Sequence, residues 1–227
     1  MKIAILVPVK DLQFAKQRLS SLLTASERKA LVWAMYLDLG RALRSLSHPI
    51  YIVTRSELAA AQARDSGWKV LLESMQVSES FSVDKAAAEL TGEGFEAVLR
   101  IPADLPLLRA EDIAAVLGAE PRLGSAVIVP SEDGRGTNAL LRTPPDLFPS
   151  RFGPNSLVLH IQEALRARAD YRIMRNENMA LDLDDPSDIL RFLEKPSATY
   201  TYQLLLHHKV KERILELADT RNPYPGT

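Results

Sequence analysis

The stretch IAILVPVK, residues 3–10, decides the fold that the sequence predicts. A continuous apolar run such as this one is typical of a strand that is buried on both faces of a sheet. A polar loop follows, and Thr24 and Glu27 then form a Thr-x-x-Glu pair, which predicts a capping box at the start of a helix. The chain is therefore expected to begin as a buried strand, a loop and a helix.

Strands and helices continue to alternate after this first pair. Apolar and β-branched runs predict further strands over 50–54, 70–72 and 97–101, and helices are predicted to follow Ser56 and to span 82–90. The order β-α-β-α-β-α-β with short connections predicts a mainly parallel sheet that is covered by helices on both faces, which is an α/β fold.

The second half of the chain is predicted to extend the same fold. The elements expected there are helices over 109–117, 156–169 and 199–218, strands over 126–129, 138–141 and 171–174, and a short helix that begins at Pro186. We expect one domain over 1–196, with a C-terminal helix and tail over 197–227 that pack on the same domain or on a partner subunit in a homodimer.

The composition excludes several classes of function. The 28 Lys and Arg residues balance 29 Asp and Glu residues, so no overall basic field favours nucleic acid or an anionic membrane as a partner. The absence of cysteine excludes disulfide frameworks, zinc-thiolate sites and thiol nucleophiles, so a bound metal would need oxygen or histidine ligands. The early apolar run is too short to span a bilayer and carries no signal-peptide pattern, so we expect a cytoplasmic protein.

The loop after the first strand is the first candidate site, because ligands of an open parallel sheet bind beyond the carboxyl ends of its strands. This loop carries three cations, Lys10, Lys16 and Arg18. They would suit a polyanion such as a triphosphate, and a solvated basic loop is an equal alternative. No P-loop motif and no dinucleotide-binding glycine motif occurs, which argues against P-loop kinases and Rossmann dehydrogenases.

Carboxylates form the second candidate site. Asp104 follows the fourth predicted strand between two prolines, where it would be a natural ligand for Mg²⁺. Asp182 and Asp184 alternate along an extended segment and would share a face, so they could hold the same ion. Asp185 is better placed to cap the helix that begins at Pro186. The alternative is that all of these are helix caps and surface charges.

Two glycine-containing turns form the third candidate site. Thr137 lies in the first turn, and Gly153 and Ser156 lie in the second, where a helix is predicted to begin. The free N–H groups of a helix N-terminus, together with the Thr137 hydroxyl, could bind a small phosphorylated acid. An ordinary turn with Ser156 as the helix cap is the alternative. His160, like the other histidines, is assigned no metal or catalytic role.

These motifs, taken in order, resemble one known family. They are VPVK at 7–10 with AKQRL at 15–19, ADLPL at 103–107, GTNAL at 136–140, FGPNS at 152–156 and DLDDP at 182–186. Each motif alone is weak, but their combination is specific. It resembles the phospholactate or phosphoenolpyruvate guanylyltransferases of deazaflavin coenzyme (coenzyme F-420) biosynthesis.

The resemblance implies the three-layer αβα nucleotidyltransferase fold, which is related to that of the molybdenum cofactor guanylyltransferases. It implies GTP and a phosphorylated three-carbon acid as substrates, with Mg²⁺ as cofactor. The acid would be 2-phospho-L-lactate, phosphoenolpyruvate or 3-phosphoglycerate. By resemblance, the acid is held by Thr137, Gly153 and Ser156, and the metal by Asp104 with one or both of Asp182 and Asp184. A transferase that acts next in the same pathway is a candidate partner.

The reaction expected from this resemblance is an attack of the acceptor's phosphate oxygen on the α-phosphorus of GTP, with release of pyrophosphate. Since the acceptor phosphate is already an anion, positioning and electrostatics suffice, and the residues expected to supply them are Lys10, Lys16, Arg18 and Asp104. Two alternatives stay open. One is a nucleotide-sugar glycosyltransferase or another sugar or cofactor nucleotidyltransferase of the same fold, and the other is a non-catalytic nucleotide-binding protein.

Overall fold

The computed structural model describes residues 1–10, 16–75, 77–119 and 121–221, and only the backbone of 218–221. Within these residues the strands are β1 (Ile3–Val9), β2 (Ile50–Thr54), β3 (Lys69–Leu72), β4 (Ala97–Arg100), β5 (Ser125–Pro130), β6 (Thr137–Thr143) and β7 (Asp170–Ile173). The helices are α1 (Ala25–Leu43), α2 (Glu57–Asp65), α3 (Glu79–Gly92), α4 (Ala110–Leu117), α5 (Ser156–Arg166), α6 (Glu177–Ala180), α7 (Pro186–Leu193), α8 (Tyr200–His207) and α9 (Val210–Arg221).

The strands form a single sheet in the order β3-β2-β1-β4-β6-β5-β7. Strand β6 is antiparallel to both of its neighbours, β4 and β5, whereas the other adjacent strands are parallel. The predicted mainly parallel sheet is therefore confirmed. Because β6 runs against the other strands, its first residues, Thr137 and Asn138, lie at the edge of the sheet where β1 and β4 end.

Side chains along the buried strands point alternately to the two faces of the sheet, and helices cover both faces. Ile5 and Val7 of β1 pack in the larger core cluster with residues of α1, α4 and α7. Ala4 and Leu6 point to the opposite face, where they pack with α3. On that face α5 packs on β5 and β6, and Phe152 joins the two clusters. These three layers match the αβα arrangement that the resemblance implies.

Several predicted helix boundaries differ from the structure by one to three residues. Helix α3 begins at Glu79 rather than at 82, because the Ser78 side chain caps it by accepting a hydrogen bond from the Phe81 N–H at 3.1 Å. Helix α5 ends at Arg166 rather than at 169. The earlier start of α3 matters for function, because it brings the Glu79 carboxylate to the sheet edge.

The single C-terminal helix predicted over 199–218 is wrong. The chain forms α8 and α9 instead, and it turns between them at Lys209, which has a φ of 49°. In α8 Leu205 is buried in the core, and the next residue, Leu206, is half exposed. None of the helices in the described part of the chain combines the length and apolar composition that a membrane-spanning helix needs.

Helix α8 is attached to the main body through α1. The Asp38 side chain is only 4% exposed and accepts hydrogen bonds from the backbone N–H groups of Tyr200 and Thr201, at 2.8 and 2.9 Å. These two groups belong to the first turn of α8, which has no intrahelical acceptor for them. Asp38 thus satisfies two buried donors across a separation of more than a hundred and fifty residues.

Candidate functional site

A cleft of about 1080 Å³ opens at the edge of the sheet where β1 and β4 end and β6 begins. This volume slightly exceeds the usual range for small-molecule sites, roughly 300–1,000 Å³, so there is room for two ligands side by side. Its walls include most of the residues that the sequence singles out, namely Lys10, Arg18, Asp104, Thr137, Gly153, Ser156, Asp182 and Asp184. Residues from distant parts of the chain therefore meet in one cleft.

Lys16 lies beneath this surface and is 7% exposed. Its backbone is left-handed, with a φ of 57°, and its Nζ lies 2.7 Å from Asp104 Oδ2 and 2.8 Å from Asp184 Oδ1. Burial by itself would lower the pKa of Lys16, but the two carboxylates outweigh it and hold that pKa above its ordinary value. The ammonium is therefore engaged by carboxylates, and its contact with a triphosphate stays a prediction.

The segment that carries Asp182 and Asp184 alternates as predicted. Leu181 and Leu183 are buried in the core, and the two carboxylates lie on the other side, in the wall of the cleft. Asn138 of β6 fixes this segment, because its side-chain amide donates to the carbonyl oxygens at 179 and 180, each at 2.9 Å. The alternation of a strand-like segment thus presents two carboxylates to the cleft.

Negative charge is in surplus in the cluster of Asp104, Asp182, Asp184 and Lys16. Burial, followed by the charges of Asp104 and Asp184, raises the pKa of Asp182 to about 6. Burial also acts against ionisation of Asp104, but the Lys16 ammonium outweighs it and lowers the pKa of that carboxyl. One ammonium therefore does not neutralise the cluster. Within the described ranges no three acidic or histidine side chains form a ready-made metal site, but oxygen donors with surplus charge are the set that Mg²⁺ takes.

Lys10 and Arg18 extend from the cleft wall into solvent. Their side chains are 64% and 74% exposed. Lys10 Nζ lies 3.1 Å from Glu79 Oε2, and an Arg18 nitrogen lies 4.0 Å from Asp184. Exposed ion pairs of this kind are weak, so both cations can turn towards an anionic ligand at small cost.

The three residues that the sequence assigns to the acid, Thr137, Gly153 and Ser156, line the same cleft. Thr137 and Ser156 are 6% and 2% exposed, and Gly153 adopts a φ of 126°, a conformation that favours glycine. The predicted cap is wrong, because Asn155 occupies the cap position of α5 with left-handed backbone, and Ser156 is the first helical residue. Ser156 lines the cleft, but the expected free N–H groups are not found at the first two helical residues: the Ser156 N–H donates to the Gly153 carbonyl oxygen at 3.2 Å, and the Leu157 N–H donates to the Arg135 carbonyl oxygen at 3.0 Å.

Asp185 is a structural residue, as the sequence predicts. Its side chain accepts from the backbone N–H groups of Ser187 and Asp188 at the start of α7, at 3.0 and 3.4 Å. Pro186 occupies the first helical position, where its missing N–H costs nothing. The Asp185 side chain therefore caps α7, whereas Asp182 and Asp184 line the cleft without capping this helix.

Arg100 is a cleft residue that the sequence reasoning missed. It ends β4, is 5% exposed, and stacks at 4.0 Å on the ring of Phe152. Its guanidinium pairs with Glu79 and lies 3.4 and 3.3 Å from the carbonyl oxygens of Thr137 and Asn138. A charged residue at the end of an apolar strand was the available signal, and it places a buried positive charge in the wall of the cleft.

His160 is the second residue that was missed. It is fully buried, its Nδ1 lies 3.0 Å from the Thr137 hydroxyl oxygen, and its Nε2 accepts a hydrogen bond of 2.8 Å from the Arg151 backbone N–H. Sequence spacing gave no signal for this contact, since Thr137 and His160 are brought together only when α5 packs on the sheet.

Comparison with known proteins identifies the same family that the sequence motifs resemble. Residues 3–220 match the family described as "Guanylyl transferase CofC like". The chain is 36% identical over 196 residues to a phosphoenolpyruvate guanylyltransferase of Rubrobacter xylanophilus, covering 84% of this chain and 93% of that protein. It is 30% identical over 200 residues to a 3-phospho-D-glycerate guanylyltransferase of Colwellia psychrerythraea, covering 86% and 94%.

A solved structure shows the same fold. The chain superposes on a protein of Desulfovibrio desulfuricans described as a nucleotide-diphospho-sugar transferase, with a TM-score of 0.78 and 18% identity, covering 93% of this chain and 98% of that one. The family match covers residues 3–220, and the fold and the cleft agree with it. The chain therefore belongs to the CofC-like guanylyl transferase family.

Proposed function

We propose that this protein transfers a guanylyl group from GTP to the phosphate of a small phosphorylated acid and releases pyrophosphate. The acids named for its relatives are phosphoenolpyruvate and 3-phosphoglycerate, and 2-phospho-L-lactate is the third candidate. The product would enter the biosynthesis of the deazaflavin coenzyme F-420. The observation that carries the proposal is that one cleft is lined both by the acidic residues and by the residues assigned to the acid.

The chain's own residues act by binding and orientation. We assign the acid to Thr137, Gly153 and Ser156, which line the same cleft and include two hydroxyl groups. Lys10 and Arg18 reach the cleft from its rim and would balance the phosphates of GTP. An acceptor oxygen then forms a bond to the α-phosphorus while the bond to the β-phosphate oxygen breaks, and its electron pair leaves with pyrophosphate.

The acidic cluster fits a divalent cation. Asp104, Asp182 and Asp184 would hold Mg²⁺, and Lys16 would keep Asp104 ionised for that role. When bound, Mg²⁺ neutralises charge on the phosphates and so favours the departure of pyrophosphate. The surplus negative charge at Asp182 is the structural reason for this assignment.

A pyrophosphate-release assay tests the function. Purified protein is incubated with each of the four nucleoside triphosphates and each of the three acids, with Mg²⁺, and the next enzyme of the pathway is added in case the product is labile. We expect release only when GTP and a phospho-acid are both present. Release that needs no acid, or incorporation from a nucleotide sugar without pyrophosphate, would reject the proposal in favour of another transferase.

The metal assignment predicts a large effect at Asp104. Asp104→Asn removes the charge while keeping the shape, and we expect kcat for pyrophosphate release to fall by about a hundredfold or more, since a group that holds the charge-neutralising ion is lost. Asp65→Asn is the matched control, because Asp65 is an exposed carboxylate at the end of α2. Equal activity of the two variants would show that Asp104 holds no essential ion.

A further inference from the structure

The contact between His160 and Thr137 determines the direction in which the Thr137 hydroxyl proton points. His160 is fully buried, and each of its two ring nitrogens has one partner: Nε2 faces the Arg151 backbone N–H at 2.8 Å, and Nδ1 faces Thr137 Oγ1 at 3.0 Å. The imidazole also meets the Phe152 ring edge-on, with the centroids 4.8 Å apart. The ring is therefore held in one orientation by partners on three sides.

The partner of Nε2 fixes the tautomer. A backbone N–H can only donate, so Nε2 must present its lone pair to Arg151. In a neutral imidazole the other nitrogen then carries the proton, so Nδ1–H donates to the Thr137 oxygen. The ring stays neutral at physiological pH, because burial and the positive charges of Arg100, Arg142 and Arg151 lower the pKa of His160 to about 3.

The tautomer in turn fixes the direction of the Thr137 hydroxyl. Since its oxygen already accepts from His160, its own proton has to point elsewhere, and Thr137 lines the cleft. No other partner of this hydroxyl is found in the described part of the chain. The group therefore meets a ligand as a donor, which suits an ionised oxygen and disfavours a ligand group that must itself donate.

We propose that His160 is a positioning residue for the acceptor: its Nδ1–H turns the Thr137 hydroxyl so that the hydroxyl proton is donated to an oxyanion of the phosphorylated acid. The inference rests on the proposed function, and it adds a specificity rule to it. The acceptor site presents a hydrogen-bond donor to a ligand oxygen, because the Thr137 hydroxyl is oriented before the ligand arrives.

Two substitutions of His160 distinguish its role as a hydrogen-bond donor to Thr137 from its role in packing. The amide nitrogen of asparagine can take the place of Nδ1, whereas the longer glutamine places its amide near Nε2. We therefore expect His160→Gln to raise the acceptor KM about tenfold, as loss of roughly 1.4 kcal/mol from one charge-assisted hydrogen bond would do. The KM for GTP should not change. His160→Asn should stay within about twofold of the original acceptor KM, because the donor to Thr137 is kept.

A double-mutant cycle tests whether His160 acts through Thr137. Thr137→Val removes the hydroxyl and should itself raise the acceptor KM. On that background His160→Gln should have no further effect, because the hydroxyl that it orients is gone. Additive effects of the two substitutions, or a rise in the KM values of both substrates, would mean that His160 is only a packing residue, and the inference would be overturned.

A measurement on the unaltered protein does not depend on activity, and a variant is needed only to identify the signals. The ¹⁵N and ¹H resonances of the histidine rings distinguish the two neutral tautomers, and His160→Asn identifies the signals of His160 by their loss. We expect the Nδ1–H form across pH 6 to 8, given the low pKa of this ring. Observation of the Nε2–H form would overturn the inference outright.

Failure of the inference and failure of the proposed function are distinguishable. If the unaltered protein turns over a phospho-acid and His160→Gln matches it in acceptor KM, the function stands and the role of His160 is rejected. If Thr137→Val has no effect on the acceptor KM, the acceptor binds elsewhere, and both the assigned site and the role of His160 fall. If no acid supports pyrophosphate release, titration with phosphoenolpyruvate followed by the Thr137 and Ser156 resonances shows whether the anion site exists.

Discussion

The ammonium of Lys16 is shared by Asp104 and Asp184, which contribute from loops that are far apart in the chain. Asp182 lies within the field of both carboxylates and has no comparable cation of its own among the described residues. A buried cluster with unequal charges costs stability in the folded state unless a ligand brings the missing charge. This imbalance is a feature of single residues, and it gives a prediction about the stability of the protein without ligand.

Asp182→Asn should stabilise the protein in the absence of Mg²⁺. The substitution removes a carboxylate that is repelled by Asp104 and Asp184 and keeps an oxygen that can accept from Asn138, so we expect a gain of about 1 kcal/mol, seen as a Tm higher by several degrees. Thermal unfolding with and without Mg²⁺ measures it. Mg²⁺ should raise the Tm of the unaltered protein more than that of the variant. A lower Tm for the variant without Mg²⁺ would contradict this prediction.

At the scale of elements, α1 shows how a local signal also serves tertiary contacts. The predicted capping box is present: the Glu27 carboxylate accepts from the Thr24 N–H at 2.7 Å, and the Glu27 N–H donates to the Thr24 hydroxyl at 3.3 Å. The same carboxylate also accepts a hydrogen bond of 2.8 Å from the guanidinium of Arg213 in α9. The sequence identified the cap because its spacing is local, but the ion pair with α9 depends on the turn at Lys209.

Glu27 should make stability depend on pH in the acid range. Its hydrogen bonds with Arg213 and Thr24 lower the pKa of its carboxyl from 4.5 to about 2. Folding therefore favours the ionised form, so the stabilisation is fully present above pH 4.5 and is lost as the pH falls towards 2. Urea unfolding at a series of pH values measures the free energy of unfolding and should show this decline.

The matched variants for this prediction are Glu27→Gln and Glu27→Ala. Glutamine keeps the acceptor of the capping box and loses the charge, so we expect a cost of about 1 kcal/mol at neutral pH and a weaker pH dependence between 4.5 and 2. Alanine also removes the acceptor and should cost about 2 kcal/mol. If glutamine and the unaltered protein lose stability in parallel over this range, Glu27 is not the group responsible.

At the scale of the whole molecule, the C-terminal hairpin of α8 and α9 is part of the same packed unit as the sheet. Residues of both helices, Leu205, Val210 and Ile214, belong to the core cluster that also contains β1 and α1. Asp38 adds the two hydrogen bonds to the start of α8. We therefore expect the hairpin and the sheet to unfold in a single transition.

Asp38→Ala should weaken this attachment. It leaves two N–H groups of α8 without their acceptor, so we expect a loss of about 2 kcal/mol in the free energy of unfolding. Asp38→Asn keeps an acceptor oxygen and should cost less than half as much. Calorimetry and limited proteolysis measure the result, and early cleavage between α7 and α8 is expected for alanine. Equal stability of the alanine variant would show that Asp38 does not hold α8 in place.

The sequence by itself determined the features that depend on neighbouring residues. The apolar run at 3–9, the Thr24 capping box, the Asp185 cap and the alternation of Asp182 and Asp184 are local patterns, and each appears in the structure as predicted. The alternation of strands and helices was enough to predict the α/β class, and the ordered motifs were enough to predict the family. Local spacing fixes periodicity and caps, whichever partner the element later meets.

Only the tertiary structure decided how these pieces form a cleft. The antiparallel insertion of β6 brings Thr137 to the edge where Asp104 follows β4, and no periodicity in the sequence specifies the direction of a strand. The position of Lys16 between two carboxylates, the burial of Arg100 and the contact of His160 with Thr137 depend on packing between distant segments. Their energies depend on burial and neighbouring charge, which arise only when the segments meet.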